Sequence, residues 1–293
     1  MMASYSSLEV ATIGELRIAI NAGTTGFEAQ TVKSLLNERG DGLPFAVSGN
    51  VDPYEIDTRI VPYMKSRYVH PHILTDNAAV AESKYRFWRA SKIVIAGMTT
   101  RIEAVFIDAP LALGVGIYGI YDFAGYEPYA LTAVLNSRFM SDYLREKFRD
   151  KHLAGGYLAI NKSTIEKLPM IESVALNTSG LTELSKTIHQ AHRNLKERTV
   201  HFEILVQSQY SIKKWPRVLR YWWELDFQRF TAALKKPLLL SERDDLLKVY
   251  HKYRKELSMF ASAIASSERE ADDLVYRLFS LSPAEILRIE ERS

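Results

Sequence analysis

The residue pattern changes near residue 170, and this change limits the fold more than any single motif. Before it, short runs rich in β-branched and aromatic residues end at glycine, proline or asparagine, whereas after residue 176 such runs stop. Five runs predict strands, at 16–20, 44–49, 92–96, 103–108 and 117–121, and two segments predict helices, at 28–39 and 128–148. We therefore expect an α+β fold in which an N-terminal mixed or curled β-sheet has flanking helices.

The second part of the chain carries only helical patterns. Apolar residues at helical spacing predict a long helix over 181–209, an aromatic helix over 222–234 and a second long helix from Ser241 to about residue 266. Two long helices with a compact link between them predict an antiparallel hairpin. Two short helices complete the chain, the last with Pro283 in its first turn. We expect a domain over 8–175 and an all-α region over 176–293.

Composition excludes several classes of protein. The 293 residues are 47% hydrophobic and 25% charged, as in ordinary globular domains. The absence of cysteine excludes disulfides and thiolate zinc sites and agrees with a reducing compartment. With no apolar run of membrane-spanning length and no secretory leader pattern, we expect a cytoplasmic protein without a membrane partner. A net charge of +3 permits a polyanionic partner without requiring one.

Two motifs resemble catalytic or cofactor sites but fit structural roles better. Gly114, Gly116 and Gly119 match the G-x-G-x-x-G pattern of dinucleotide sites, yet a strand rather than a helix is predicted to follow. We interpret these glycines as a bend in a sheet. The segment 50–54, Asn-Val-Asp-Pro-Tyr, lacks the second proline of the adenine-methyltransferase loop, and we interpret it as a turn.

The histidines also lack the further metal ligands and catalytic partners that a metal site or an active site requires. His70 lies near His72, and His189 lies near His192, but no third metal ligand accompanies either pair in the sequence. No nucleophile-elbow pattern or paired-acid nuclease pattern is present. We therefore predict no catalytic residue, no metal and no cofactor in this chain.

Several segments suit contact with DNA. Lys84, Arg86 and Arg89, followed by Lys92, alternate with aromatic residues, and such cations neutralise phosphates. The alternative is a helix end with Phe87 and Trp88 in the core and the cations in solvent.

Four further residues are candidate DNA contacts. Thr24 and Thr25 form a small polar loop with backbone N–H groups for a phosphate or a base edge. Arg101 at a strand start suits guanine recognition, and Lys162 beside the Gly155-Gly156 turn suits a phosphate. A charge run of Arg145, Lys147, Arg149 and Lys151 fits a solvated helix face.

A series of short motifs points to a known family. They are Gly23-Thr24-Thr25-Gly26, the run 45–54, Lys92-Ile93-Val94-Ile95-Ala96 with 101–108, Leu135-Asn136-Ser137, Gly155-Gly156 with Asn161-Lys162 and Leu168-Pro169, and 272–286. Ser163, with Glu166 three residues later, is the predicted cap of a short helix in this series. In this order the motifs resemble the TaqI-like C-terminal specificity domain of type IIG restriction–modification enzymes and adenine-specific DNA methyltransferases.

The resemblance implies a chain that recognises double-stranded DNA and performs no chemistry itself. Methyl transfer from S-adenosylmethionine would belong to a methyltransferase domain or subunit, with or without a nuclease, so that this chain is either a fragment or a separate specificity subunit. The helical hairpin would be a spacer and docking surface or simply a packed subdomain. Two alternatives stay open. One is a helical protein-interaction module of a DNA-defence complex, suggested by Tyr221-Trp222-Trp223, and the other is an unrecognised nuclease with scattered acids.

Overall fold

The computed structural model describes residues 10–75, 77–148 and 157–292, and within them the fold is α+β. The strands are β1 (Ala11–Thr12), β2 (Ala19–Ala22), β3 (Leu36–Asn37), β4 (Leu43–Ala46), β5 (Val51–Asp52), β6 (Glu55–Ile56), β7 (Ile60–Tyr63), β8 (Ser66–Val69), β9 (His72–Ile73), β10 (Lys92–Ala96), β11 (Met98–Thr99), β12 (Ala104–Ile107), β13 (Ala112–Leu113), β14 (Ile117–Asp122), β15 (Leu158–Ala159) and β16 (Pro169–Met170). The helices are α1 (Ala29–Leu35), α2 (Glu82–Arg89), α3 (Pro128–Asn136), α4 (Arg138–Lys147), α5 (Lys162–Ile165), α6 (Ser173–Asn177), α7 (Leu181–Tyr210), α8 (Phe227–Leu234), α9 (Leu240–Leu278) and α10 (Pro283–Arg292).

The chain forms two compact units. The sheet unit comprises 1–186 and 269–293, and the helical unit comprises 187–268. The predicted Gly155-Gly156 turn, Arg149 and Lys151 lie outside the described residues. The functional boundary between residues 175 and 176 stays a prediction. No helix among the described residues has both the length and the apolar character needed to cross a bilayer.

A four-stranded antiparallel sheet in the order β12-β10-β14-β2 forms the centre of the sheet unit. Every residue of β10 is buried. Ile93 and Ile95 join a core cluster with α3 and α4, whereas Val94 and Ala96 join a second cluster. Because successive side chains of a strand point to opposite faces, the apolar residues 93–96 of this strand are packed on both sides.

The second cluster lies between the central sheet, α2 and a mixed sheet in the order β13-β4-β9-β3. From α2, Phe87 and Trp88 are buried and Arg86 and Arg89 are exposed, which is the alternative interpretation of that segment. Lys92 differs from both interpretations because it is fully buried. Its Nζ donates a hydrogen bond to the Trp88 carbonyl oxygen at 2.9 Å, and burial lowers its pKa to about 8.

The end of the chain packs into the first core cluster. Val275 of α9, Phe279 just after it and Ile289 of α10 are buried there, and the Phe279 ring lies 4.6 Å from that of Phe139. Asp272 accepts a hydrogen bond from the backbone N–H of Arg138 at 2.9 Å. The 272–286 motif therefore anchors the terminal helices to the sheet unit.

The helical unit contains the predicted antiparallel hairpin. Three contacts join α7 to α9: Tyr210 to Glu242, His201 to Tyr253, and Arg198 to Glu256. As residue numbers fall along α7 they rise along α9, which only antiparallel helices allow. The hairpin encloses an aromatic cluster in which Trp222 stacks on Phe202 with 3.7 Å between ring centroids.

Three predicted elements in the N-terminal part of the chain have wrong boundaries. The strand predicted at 44–49 is β4, which ends at Ala46, because Ser48–Asn50 forms a 3₁₀ turn. The strand predicted at 16–20 begins only at Ala19, because 13–17 forms a turn in which Arg17 has a φ of 57°. The helix predicted over 28–39 ends at Leu35, because Leu36 and Asn37 pair with β9.

Three differences have capping as their cause. The helix predicted over 128–148 is divided at Ser137, whose Oγ accepts a hydrogen bond from the Met140 N–H at 3.2 Å and caps α4. Asn161, not Ser163, caps α5, and its side chain accepts a hydrogen bond from the Thr164 N–H at 3.1 Å. The aromatic helix predicted over 222–234 is a 3₁₀ turn, Trp222–Glu224, and then α8, which Asp226 caps.

The second long helix is longer than predicted. It begins at Leu240 and continues to Leu278, since no glycine or proline interrupts it after Pro237. The first of the two predicted short terminal helices is therefore part of α9, and α10, with Pro283 in its first turn, is separate.

Candidate DNA interface

Several loops meet at one end of the central sheet. Ala22 at the end of β2 is opposite Tyr118, and Ala96 at the end of β10 is opposite Ile117. Ala104, the first residue of β12, is opposite Ile95. Loops 23–28, 97–103 and 114–116 therefore lie side by side at one end of the strands. We call these three loops, with the segments packed beside them, the loop end.

Glycines allow these loops to approach one another closely. A Cβ on Gly97 would lie 2.4 Å from the Gly116 carbonyl oxygen, and Gly116 itself has a φ of +75°. A Cβ on Gly119 would lie 2.7 Å from the Phe87 ring. Gly114 and Gly119 thus have packing roles, whereas Gly116 supplies a positive φ. Strand β14 begins directly after Gly116, as expected for a sheet bend.

The Ser48-Gly49-Asn50 segment packs against the loop end. The Gly97 N–H donates to Ser48 Oγ at 3.1 Å. Buried Asn50 donates from its amide nitrogen to the carbonyl oxygens of Asp57 and Ile60, at 2.8 and 2.9 Å. The Asn50 side chain therefore holds the surrounding loop, in agreement with the interpretation of 50–54 as a turn.

The β7–β8 hairpin was not predicted from the sequence. Its turn residues, Met64 and Lys65, both have positive φ, as in a type I′ turn, where Asn-Gly is the usual signal. The turn is attached to α1 because Lys33 Nζ donates to the Met64 carbonyl oxygen at 3.0 Å. Pro62 and Arg67 are cross-strand partners on the exposed face.

A shallow groove of about 440 Å³ lies between the hairpin and the loops. Its lining includes Gly26, Ser48, Gly49, Pro62, Met64 and Val115. Phe27, beside Gly26, is fully exposed at 101% of its reference area. Met64 and Val115, which line the same groove, are also exposed apolar residues, and such a cluster marks a candidate contact surface. No local pattern in the sequence predicts it.

The two threonines have different surroundings. Thr24 is buried, its Oγ1 donates to the Leu113 carbonyl oxygen at 2.6 Å, and its N–H donates to Gly114. Thr25 is exposed, but its N–H donates to the Glu28 carboxylate at 2.7 Å. Both backbone N–H groups predicted to be free for a phosphate are thus engaged within the fold, and Thr24 is a packing residue.

The predicted cations are spread over the sheet unit. Arg101 is exposed at the loop end. Lys84 also lies near the loop end, half-buried, and its ammonium pairs with the Glu28 carboxylate at 3.2 Å. Arg89 lies just before the start of β10, at the end of the strands opposite the loop end. Its guanidinium pairs with the Glu82 carboxylate at 3.7 Å. Lys162 is exposed and pairs with Glu166 at 3.8 Å, whereas Arg86 is exposed on α2. Of these cations, the structure brings Arg101 and Lys84 to the loop end.

A titratable carboxyl group lies beside Arg101. Burial raises the pKa of Glu103 to about 7, repulsion from Asp52 adds to the rise, and attraction to Arg101 opposes it. Glu103 comes immediately before β12, so its ionisation changes the charge of the loop end near neutral pH.

We expect Glu103→Gln to stabilise the protein at pH 8 but not at pH 5. The folded-state pKa of Glu103 lies above its unfolded value, so the wild type loses stability as pH rises from about 4.5 through about 7. The non-titrating glutamine avoids this loss, which we place at about 1–2 kcal/mol after solvent screening. Urea denaturation at both pH values measures the difference. A difference that is the same at pH 5 and pH 8 would contradict the assignment.

The histidine pairs form no metal site in the described part of the chain. There, no group of three or more His, Cys, Asp or Glu side chains is arranged to hold a metal ion. His72 Nδ1 lies 2.9 Å from the His70 carbonyl oxygen, as a donor, and His189 is buried on α7.

Comparison with known proteins finds one family model that matches part of the chain. Residues 175–275 match a family described as a domain of unknown function, DUF8810. The match begins within α6 and ends in α9, so it includes the whole helical unit. No curated protein matches the chain. The resemblance to TaqI-like specificity domains stays a prediction, and the chain shares the DUF8810 pattern in its helical part.

Proposed function

We propose that this chain is the DNA sequence-recognition module of a cytoplasmic restriction–modification adenine-N6 methyltransferase. The observation that supports the proposal best is the loop end, where exposed Phe27, Thr25 and Arg101 lie on loops carried by a rigid core. Sequence-specific proteins place a few variable side chains on such fixed supports. The chain would be a fragment of the enzyme or a separate subunit of it.

Different side chains at and beside the loop end suit different parts of the DNA. Arg101 suits bidentate contact with a guanine edge in the major groove. Thr25 Oγ1 donates to the Glu28 carboxylate at 2.9 Å, so this hydroxyl would accept a hydrogen bond from a base. Phe27 offers an apolar face to a thymine methyl group or to an opened base step. Lys65 and Arg67, exposed on the hairpin, suit phosphates and would set the register on the duplex.

Catalysis would belong to the partner. The motifs for methyl transfer are missing from this sequence, and the buried Asn50 amide is occupied by backbone groups. S-adenosylmethionine and the flipped adenine would be held by the methyltransferase domain or subunit. This chain would position that partner on its site.

The proposal is tested by selection from a random duplex library, with the chain alone and with any adenine methyltransferase that a neighbouring reading frame encodes. We expect one enriched sequence. Arg101→Gln should weaken binding to it by about 10- to 100-fold and relax one base position, as loss of a bidentate base contact does. Arg39→Gln, which removes an exposed arginine from the same unit, is the matched control and should keep the sequence preference.

Two results would overturn the proposal. One is a library without enrichment in both arms, and the other is an enriched sequence that Arg101→Gln and Phe27→Ala bind as the wild type does. Stable binding of a protein partner with no DNA affinity would favour the interaction-module alternative. DNA cleavage by the isolated chain would favour the nuclease alternative.

A further inference from the structure

The positive charge of the chain is concentrated in the helical unit. Residues 187–268 contain 15 Lys and Arg against nine Asp and Glu, whereas the remaining residues contain 23 against 26. The sheet unit is therefore slightly acidic, although the chain as a whole carries +3. The excess positive charge of the helical unit suits a polyanion such as DNA, in addition to Lys65 and Arg67 of the sheet unit.

We propose that the link between α7 and α8 binds the phosphate backbone of duplex DNA. Four exposed cations lie within this basic link, which we define as Lys213, Lys214, Arg217 and Arg220. No acidic residue occurs in the sequence between Glu203 and Glu224. Among the described residues, Lys213, Lys214 and Arg217 make no ion pair, so their charge is available to a polyanion.

The basic link is an ordered surface. Trp215 Nε1 donates to the Leu219 carbonyl oxygen at 3.2 Å, and Leu219 is fully buried. The link includes the 3₁₀ turn Arg217–Leu219, and the Trp215 ring packs against the ring of Phe202. Because the backbone is fixed in this way, binding need not order it, which lowers the entropic cost of association.

An aromatic side chain adjoins the cations. Tyr221 is half-exposed, and the Arg220 guanidinium lies 5.1 Å from its ring centroid. The Tyr221 ring contacts that of Trp223 edge-on at 5.6 Å, and Arg254 of α9 donates to the Trp223 carbonyl oxygen at 2.9 Å. This pairing of exposed cations with a planar ring matches surfaces that contact sugars and phosphates.

The inference does not depend on base recognition at the loop end. Phosphate contacts carry no sequence information, and each contact releases condensed counterions from the DNA. The expected signature is therefore a steep salt dependence of binding to DNA of any sequence.

The test measures binding of the full chain to a random-sequence duplex over a range of NaCl concentrations. The variant Lys213→Gln, Lys214→Gln, Arg217→Gln is compared with the control Arg193→Gln, Lys252→Gln, Lys255→Gln, which removes three exposed charges from α7 and α9. Each lost phosphate contact lowers the slope of log K against log salt by about 0.9. We expect the slope of the link variant to be less steep than that of the wild type by about 2–3, and the slope of the control to be less steep by under about 1. Urea denaturation verifies that both variants are folded.

Equal slopes for the two triple variants would overturn the inference, as would failure of the wild type to bind the duplex at low salt. Tighter binding to single-stranded RNA than to duplex DNA, lost in the link variant, would also overturn the assignment to duplex DNA. The outcomes separate this inference from the proposed function. A changed slope without any enriched sequence supports the link alone, whereas an enriched sequence with an unchanged slope supports the loop end alone.

Discussion

Asp142→Ala is expected to lower the free energy of unfolding of the sheet unit by about 3–5 kcal/mol. Asp142 is 1% exposed on α4, and its carboxylate lies 3.5 Å from Arg288 and 3.4 Å from Arg292, both on α10. Removing the carboxylate leaves the Arg288 guanidinium in a largely buried position without this counter-charge. Urea denaturation measures the loss, and hydrogen exchange should show that α10 opens first.

Two further variants separate the buried charge from carboxylate loss in general. Glu183→Ala removes an exposed carboxylate that pairs with Lys186, and it should cost less than about 1 kcal/mol. Asp142→Leu combined with Arg288→Met removes both buried charges and should recover most of the stability, since apolar replacements of buried ion pairs are often neutral. A double variant as unstable as Asp142→Ala would show that the loss is one of packing rather than charge.

Trp222→Ala is expected to destabilise the helical unit by about 3–5 kcal/mol. Trp222 is fully buried at the centre of the aromatic cluster, stacked on Phe202 and 5.6 Å from the Tyr250 ring. Alanine would leave a cavity between α7 and α9 that the two long helices cannot close without bending. Loss of hydrogen-exchange protection within 195–257 is the measurement.

Two milder variants define the cause. Trp222 Nε1 is buried and has no hydrogen-bond partner among the described residues. Trp222→Phe therefore keeps an aromatic ring in the cluster and removes an N–H group that makes no hydrogen bond there. It should cost less than half as much as the alanine variant. Tyr221→Ala, at a half-exposed neighbouring aromatic residue, should change stability by less than about 1 kcal/mol. Equal losses for Trp222→Ala and Tyr221→Ala would contradict the assignment of Trp222 to the core.

The elements predicted well are those with strong local patterns. β10, with its uninterrupted apolar residues, and α7, with its regular apolar stripe, lie where the sequence predicts them. Where long-range contacts decide, local patterns were misleading. α1 ends early because Leu36 pairs with Ile73, and the sequence around Leu36 contains no breaker. The buried Lys92 ammonium donates a hydrogen bond to the Trp88 carbonyl oxygen, a contact that charge patterning alone does not predict.

The candidate site was predictable only in part. Thr25 and Arg101 reach the loop end because they follow or precede strands, which sequence spacing indicates. The hydrogen bond from the Thr24 hydroxyl to the Leu113 carbonyl oxygen joins residues 89 positions apart, so the local sequence does not indicate it. The groove is formed by segments far apart in the chain, so no local window predicts it.

The placement of residues 269–292 in the sheet unit has a consequence for gene architecture. The helical unit is an insertion, because the chain leaves the sheet unit after Lys186 and completes it only from Arg269 onward. A gene cut once, after the last strand, would encode a sheet unit without Val275, Phe279 and Ile289 in its core. Exchange of the sheet unit between related genes therefore requires two crossover points, whereas a single crossover inside 187–268 would exchange the loop end and leave its C-terminal anchor mismatched.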